Sequence, residues 1–134
     1  MVSHAVVEEL IAALPEVEEG ARFGNRTWNV GGKAFAWDRP FSKADVLRFG
    51  DDPVPAGAIL AVSVADLHEK EAVLAAGARG FFTIPHFDGY AAVLIQLQIA
   101  TKTAVRHALV DAWLAVAPRA LADEHAPALL RRRR

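Results

Sequence analysis

Cysteine is absent from the 134-residue sequence, which excludes disulfide staples and thiolate metal sites and makes a cytosolic setting the expectation. Long apolar runs are missing as well. Hydrophobic residues make up 53% of the chain, but they fall in short stretches of at most six residues, such as 112–117. A membrane-spanning helix needs about 20 such residues, so no membrane partner is expected. The N-terminal residues lack the basic-then-apolar order of a secretory signal. Bases are missing from residues 1–19, which hold five acids, whereas residues 20–50 hold six bases and two acids. Without the four terminal arginines the net charge of −1 becomes −5. An acidic body is not an electrostatic sleeve for nucleic acid, and only a local basic segment or tail remains for phosphate contact.

What is present reads as alternating helix and strand signals. Val6, Val7, Leu10, Ile11 and Leu14 follow helical spacing, and Pro15 ends the pattern. After a Glu-rich link, residues 26–30 and 33–38 flank Gly31 and Gly32, a pair suited to a tight hairpin turn. A two-residue turn sets Val30 opposite Lys33, Trp28 opposite Phe35 and Arg26 opposite Trp37. Trp28, Phe35 and Trp37 then share a core face, with Thr27, Asn29, Ala34 and Ala36 on the other. Ser42 and Asp45 cap a short helical turn, and residues 50–57 form a loop. Residues 59–64 read as an interior strand. Asp66 and Glu69 form a capping box for a helix that stops at Gly77. Residues 81–84 and 90–98 read as strands about a turn at 85–89, and Thr101 caps a helix ending at Pro118. The expected class is α+β: a mainly antiparallel sheet of about five strands with flanking helices, in the order α-β-β-β-α-β-β-α. Residues 1–121 form the expected domain, and 122–134 a flexible tail.

Several short motifs lie in order along nearly the whole chain. They are Leu14-Pro15-Glu16-Val17-Glu18-Glu19, Gly24-Asn25, Val30-Gly31-Gly32-Lys33-Ala34-Phe35, Phe81-Phe82-Thr83-Ile84-Pro85-His86-Phe87-Asp88-Gly89-Tyr90, and Trp113 followed by Ala117-Pro118-Arg119. Together they resemble the YjbR/MmcQ family. The resemblance implies a compact sheet flanked by helices, similar to the double-wing DNA-binding domain of a phage transcription factor, with DNA as the implied partner. It implies no catalytic residue set. Gln96 departs from the resemblance, at a position where family members often carry a basic residue.

The segment 85–90 is where an imidazole, a carboxylate and a phenol lie close together in sequence. In a reactive reading His86 is a general base, Asp88 holds its tautomer and Tyr90 donates to a developing anion. In the structural reading Pro85 and Gly89 shape a turn, Asp88 bonds its backbone, Phe87 plugs the core and His86 anchors a neighbouring strand. No nucleophile or phosphate loop accompanies the histidine, so structure or ligand contact is favoured over catalysis and no catalytic residue is assigned. His4, His68, His86, His107 and His125 are scattered without metal-ligand spacing, and no metal or other cofactor is expected.

Two binding surfaces remain. Arg22, Arg26, Lys33, Arg39 and Lys43 are candidates to line one edge of the sheet for an anion such as DNA phosphate. Arg131, Arg132, Arg133 and Arg134 form either a basic tail with the same nonspecific attraction or an extension with no role of its own. The small residues Thr27, Asn29, Ala34, Ala36, Ala61 and Ser63 make a candidate groove, with His86, Asp88, Tyr90, Gln96 and Asn29 as contacts for a small molecule.

Overall fold

In the computed structural model, which describes residues 1–133, the apolar spacing at the start of the chain becomes helix α1 (His4–Ala12). Ser3 caps it by accepting the Val6 amide at 3.2 Å, and the helix buries Val7 and Ile11. The Glu-rich link after it forms strand β1 (Glu18–Arg22), antiparallel to β2 (Asn25–Val30), and every residue of β1 is exposed. Its charges suit an edge, where they discourage pairing with another chain. Strand β3 (Lys33–Asp38) comes after the expected glycine turn, with φ of 59° at Gly31 and 79° at Gly32.

The hairpin register departs from the sequence expectation. Val30 faces Lys33 and Asn29 faces Ala34, but Trp28 then pairs with Ala36 and Thr27 with Trp37. A β-bulge inserts Phe35 as the extra residue, so the alternation of faces reverses beyond it. Trp28, Phe35 and Ala36 therefore share the main core, whereas Trp37 crosses to the opposite face of the sheet.

Ser42 and Asp45 form a reciprocal capping box at the start of α2 (Lys43–Phe49). Strand β4 (Ile59–Ser63) is almost wholly buried. Helix α3 (Leu67–Ala76) is capped by Asp66, which accepts the Glu69 amide at 2.8 Å, and it ends at left-handed Gly77. Then come β5 (Phe81–Phe82), a 3-10 turn (Pro85–Phe87) and β6 (Ala92–Gln96). Thr101 caps α4 (Lys102–Val116) by accepting the Ala104 amide.

The sheet order is β1-β2-β3-β4-β6-β5, antiparallel throughout. The α+β class is as expected, with six strands in place of about five. The expected flexible tail from residue 122 is instead helical: α5 (Arg119–Arg133) packs on α4 and buries Leu129. Arg131, Arg132 and Arg133 lie in its last turn, and Arg134 lies outside the described residues.

One face of the sheet, carrying Val30, Leu60, Val62, Val93 and Ile95, is covered by α1 and α4 through Val7, Ile11, Val105, Leu109 and Trp113. The other face holds a smaller core of Ile59, Ala61, Ala92 and Leu94, closed by Ile84, Phe87, Phe41 and Phe49. That cover comes from the 3-10 turn and α2.

Candidate ligand-binding site

The segment 81–90 is held from beneath by a residue that the sequence does not single out. Lys70 of α3 is only 7% exposed, and its Nζ donates to the Phe87 carbonyl at 2.6 Å and the Tyr90 carbonyl at 2.8 Å. Burial lowers its pKa, with the charge of Asp88 opposing that shift. Phe87 fills the smaller core as expected, and the His86 and Tyr90 rings lie beside it, with centroids 6.2 and 5.5 Å away. His86, Asp88 and Tyr90 are all exposed, and among the described residues no hydrogen bond joins their side chains. The triad needed for the reactive reading is not assembled. The turn is held by Phe87 in the smaller core and by Lys70, while among the described residues no hydrogen bond shows the backbone role expected of the Asp88 side chain or the strand-anchoring role expected of His86.

The other proposed ligand contacts are dispersed. Gln96 pairs with Ile59 while Ala92 pairs with Ser63, so Gln96 lies about 13 Å along β6 from the Tyr90 end. Its Nε2 donates to the Ala56 carbonyl at 3.1 Å. Asn29 pairs with Ala34, whose carbonyl accepts from Ser63 Oγ at 3.2 Å. Thr27, Asn29, Ala34, Ala61 and Ser63 do share the second face, but Ala36 belongs to the main core and Trp37 takes its place. Trp37 then stands beside Tyr90, with ring centroids 6.3 Å apart, and packs against the smaller core on the face where the groove was expected.

The basic candidates do not line one edge. Arg26 pairs with Glu8 and with Glu19, the latter at 2.8 Å, and its guanidinium lies 5.0 Å from the centroid of Trp28. Arg39 pairs with Asp45 at 2.9 Å and lies over Phe87. Lys33 sits at the β2–β3 turn and Lys43 opens α2, while Arg22 is at the opposite end of the hairpin from Lys33. Beside Arg22, at 5.4 Å, is the ring of Phe23, 90% exposed and held at a φ of 54°.

A cavity of about 530 Å³ opens between α3 and α4, over Val62 and Val93 of the sheet. Its walls are mainly apolar, with Val73, Phe81 and Leu114 interrupted by Ala76, Ala104, Ala108 and Ala115. These alanines leave space that longer side chains would fill. Glu69 enters from α3, His107 and Asp111 from α4, and Arg133 from the end of α5. The Arg133 guanidinium grips Asp111 through two parallel bonds, Nε to Oδ1 and Nη2 to Oδ2, each 3.0 Å. The hydrogen bonds that Arg133 donates to Asp111 raise its pKa, burial opposes that shift, and the charges of Asp111 and Glu69 act in the raising direction. Sequence reasoning places Glu69 in a capping box, but only the Asp66 half of that box forms. Asp111 carries one sequence signal: with Ala104, Ala108 and Ala115 it forms a row at helical spacing that is polar or small, beside the core stripe of α4. A second hollow, of about 420 Å³, lies between α1 and β1 and holds the Arg26 cluster.

The chain is 38% identical over 118 residues to the uncharacterized proteins Rv2570 and MT2646 of Mycobacterium tuberculosis and Mb2600 of Mycobacterium bovis. The match covers 86% of this chain and 88% of each relative. No protein-family model matches the chain, and no solved structure does.

Proposed function

The chain belongs to one family with the mycobacterial proteins Rv2570, MT2646 and Mb2600, and for this member we propose a non-catalytic small-molecule-binding module whose ligand enters the cavity between α3 and α4. The observation that carries this reading is the cavity itself: about 530 Å³ of mainly apolar space with a few convergent polar groups. Binding pockets commonly span about 300–1,000 Å³ and share that make-up. The site lies on the opposite side of the sheet from Trp37 and Tyr90, so the proposal moves the ligand away from the sheet face around His86. A binding role fits the dispersal of His86, Asp88 and Tyr90, which offers no assembled acid–base set.

A metabolite panel screened by thermal unfolding tests the proposal. A ligand at about 100 times its Kd stabilises the fold by about 2.7 kcal/mol, which moves Tm by several degrees in a domain of this size. Ala108→Phe, which fills the cavity from α4, is expected to abolish that response. A response that survives in Ala108→Phe places the ligand elsewhere and rejects the reading.

A second reading, nucleic acid binding, is what the YjbR/MmcQ resemblance implies, and one observation supports it. Arg22 and the bare ring of Phe23 stand together at the tip of the β1–β2 hairpin, a cation beside a stacking surface. Under this reading, binding to duplex or single-stranded DNA weakens steeply with salt and falls in Arg22→Ala and Phe23→Ala. Binding that depends only on the arginines at 131–134 counts against it.

A further inference from the structure

We propose that the ligand of the α3–α4 cavity is an amphiphilic cation, an apolar body bearing one protonated amine or guanidinium, whose charge sits between Asp111 and Glu69. The inference rests on the cavity reading above and adds the chemistry of what enters. The two carboxylates come from different walls, Asp111 from α4 and Glu69 from the first turn of α3. A cation between them therefore bridges both helices while its apolar part covers Val62, Val93 and Phe81.

The chain itself supplies the precedent. A guanidinium already occupies this rim: Arg133 forms its two 3.0 Å bonds with Asp111 and also feels the charge of Glu69. Among the described residues, the formally charged groups lining the cavity are these two carboxylates and this one arginine. A second cation meets a carboxylate that Arg133 does not hold in a hydrogen bond, since the Arg133 fork is directed at Asp111. An anion faces the reverse. It has to take Arg133 from a bidentate partner and then lie close to two carboxylates at the exposed rim, where solvent weakens the repulsion without reversing its sign. Arg133 is thus a competitor for the cationic head, and its removal has a predictable sign.

The test uses three probes with one rigid apolar cage and different heads: adamantylamine, adamantanol and adamantane carboxylate. Binding to the full chain is measured by calorimetry and thermal unfolding, with circular dichroism to confirm that each variant is folded. The amine is expected to bind at least about tenfold more tightly than the alcohol, with the carboxylate weakest. Glu69→Gln and Asp111→Asn each weaken the amine by about tenfold or more, and Arg133→Gln strengthens it. Ala108→Phe, or Ala104→Leu if the first variant does not fold, removes binding of every probe.

Tightest binding by the carboxylate, or weaker amine binding in Arg133→Gln, overturns the cationic assignment. The cavity reading survives that result if Ala108→Phe still blocks the probe. Absence of binding by all three probes, in both the wild type and Arg133→Gln, overturns the assignment and the cavity reading together.

Discussion

Asp45 is 2% exposed and ionised, because two guanidiniums and a backbone amide surround it. Burial alone would raise its pKa, but the hydrogen bond from the Ser42 amide and the Arg39 guanidinium outweigh that and hold it below the ordinary 3.8. A carboxyl depressed in this way contributes stability that is fully present above 3.8 and is lost as pH falls through the folded value. Asp45→Asn is therefore expected to lose about 1–3 kcal/mol at pH 7, since Arg39 is left largely buried without its counter-charge. The gap between variant and wild type narrows as pH drops below 3.8. Urea unfolding at several pH values measures both. A constant gap at every pH means that Asp45 acts through packing and not through its charge. The Ser42–Asp45 pair is readable from sequence because capping is local. Lys70 is not, because its partners, the Phe87 and Tyr90 carbonyls, are 17 and 20 residues away. In sequence Lys70 is one more lysine among the glutamates of a short helix.

Among the elements, the β2–β3 hairpin shows how far periodicity reaches. The glycine turn and the first pairs are legible in sequence, but the bulge at Phe35 is not, because the alternation of apolar residues permits both registers until neighbouring strands decide between them. Ala36 pairs with Val62 beneath α4, and a Trp at that position would meet the helix; the bulge instead places Trp37 over Ala61 on the face with room for it. The turn itself is docked on Pro118, in the link between α4 and α5. A Cβ on Gly31 would lie 2.7 Å from two carbons of the Pro118 ring, whereas one on Gly32 would meet nothing within 4 Å. Both positions have positive φ, so alanine at either costs about 1–2 kcal/mol from the backbone. Gly31→Ala is expected to lose about 1–3 kcal/mol more than Gly32→Ala, from overpacking against the proline. Chemical denaturation of the two variants decides this, and equal losses would mean that the Pro118 ring moves aside. Pro118 reads in sequence as a helix stop, and its contact with the hairpin is a second role visible only in the fold.

For the whole molecule, the question is whether the chain ends its fold at α4 or needs α5. Sequence alone favours an end near residue 121, because the last helix pattern stops at Pro118 and the closing arginines resemble a solvated tail. The missed signal is a four-residue spacing, Leu121, His125, Leu129 and Arg133, which in α5 forms one inward stripe. The His125 ring lies edge-on to Trp113 at 5.9 Å, Leu129 is 3% exposed within the main core, and Arg132 donates to the Ala13 carbonyl at the end of α1. Pro127 is tolerated inside the helix even though it supplies no amide donor there, because these contacts hold the turns on either side. The same helix delivers Arg133 to the cavity rim, so the candidate site draws on α3, α4 and α5 and no contiguous motif encodes it. If α5 is integral, Leu129→Ala removes buried contacts from the one shared core and loses about 2–5 kcal/mol. Unfolding would remain a single transition, because no separate unit carries the residue. A loss under about 0.5 kcal/mol, the size expected of a surface substitution, would mean instead that the sheet and its first four helices are stable without the fifth.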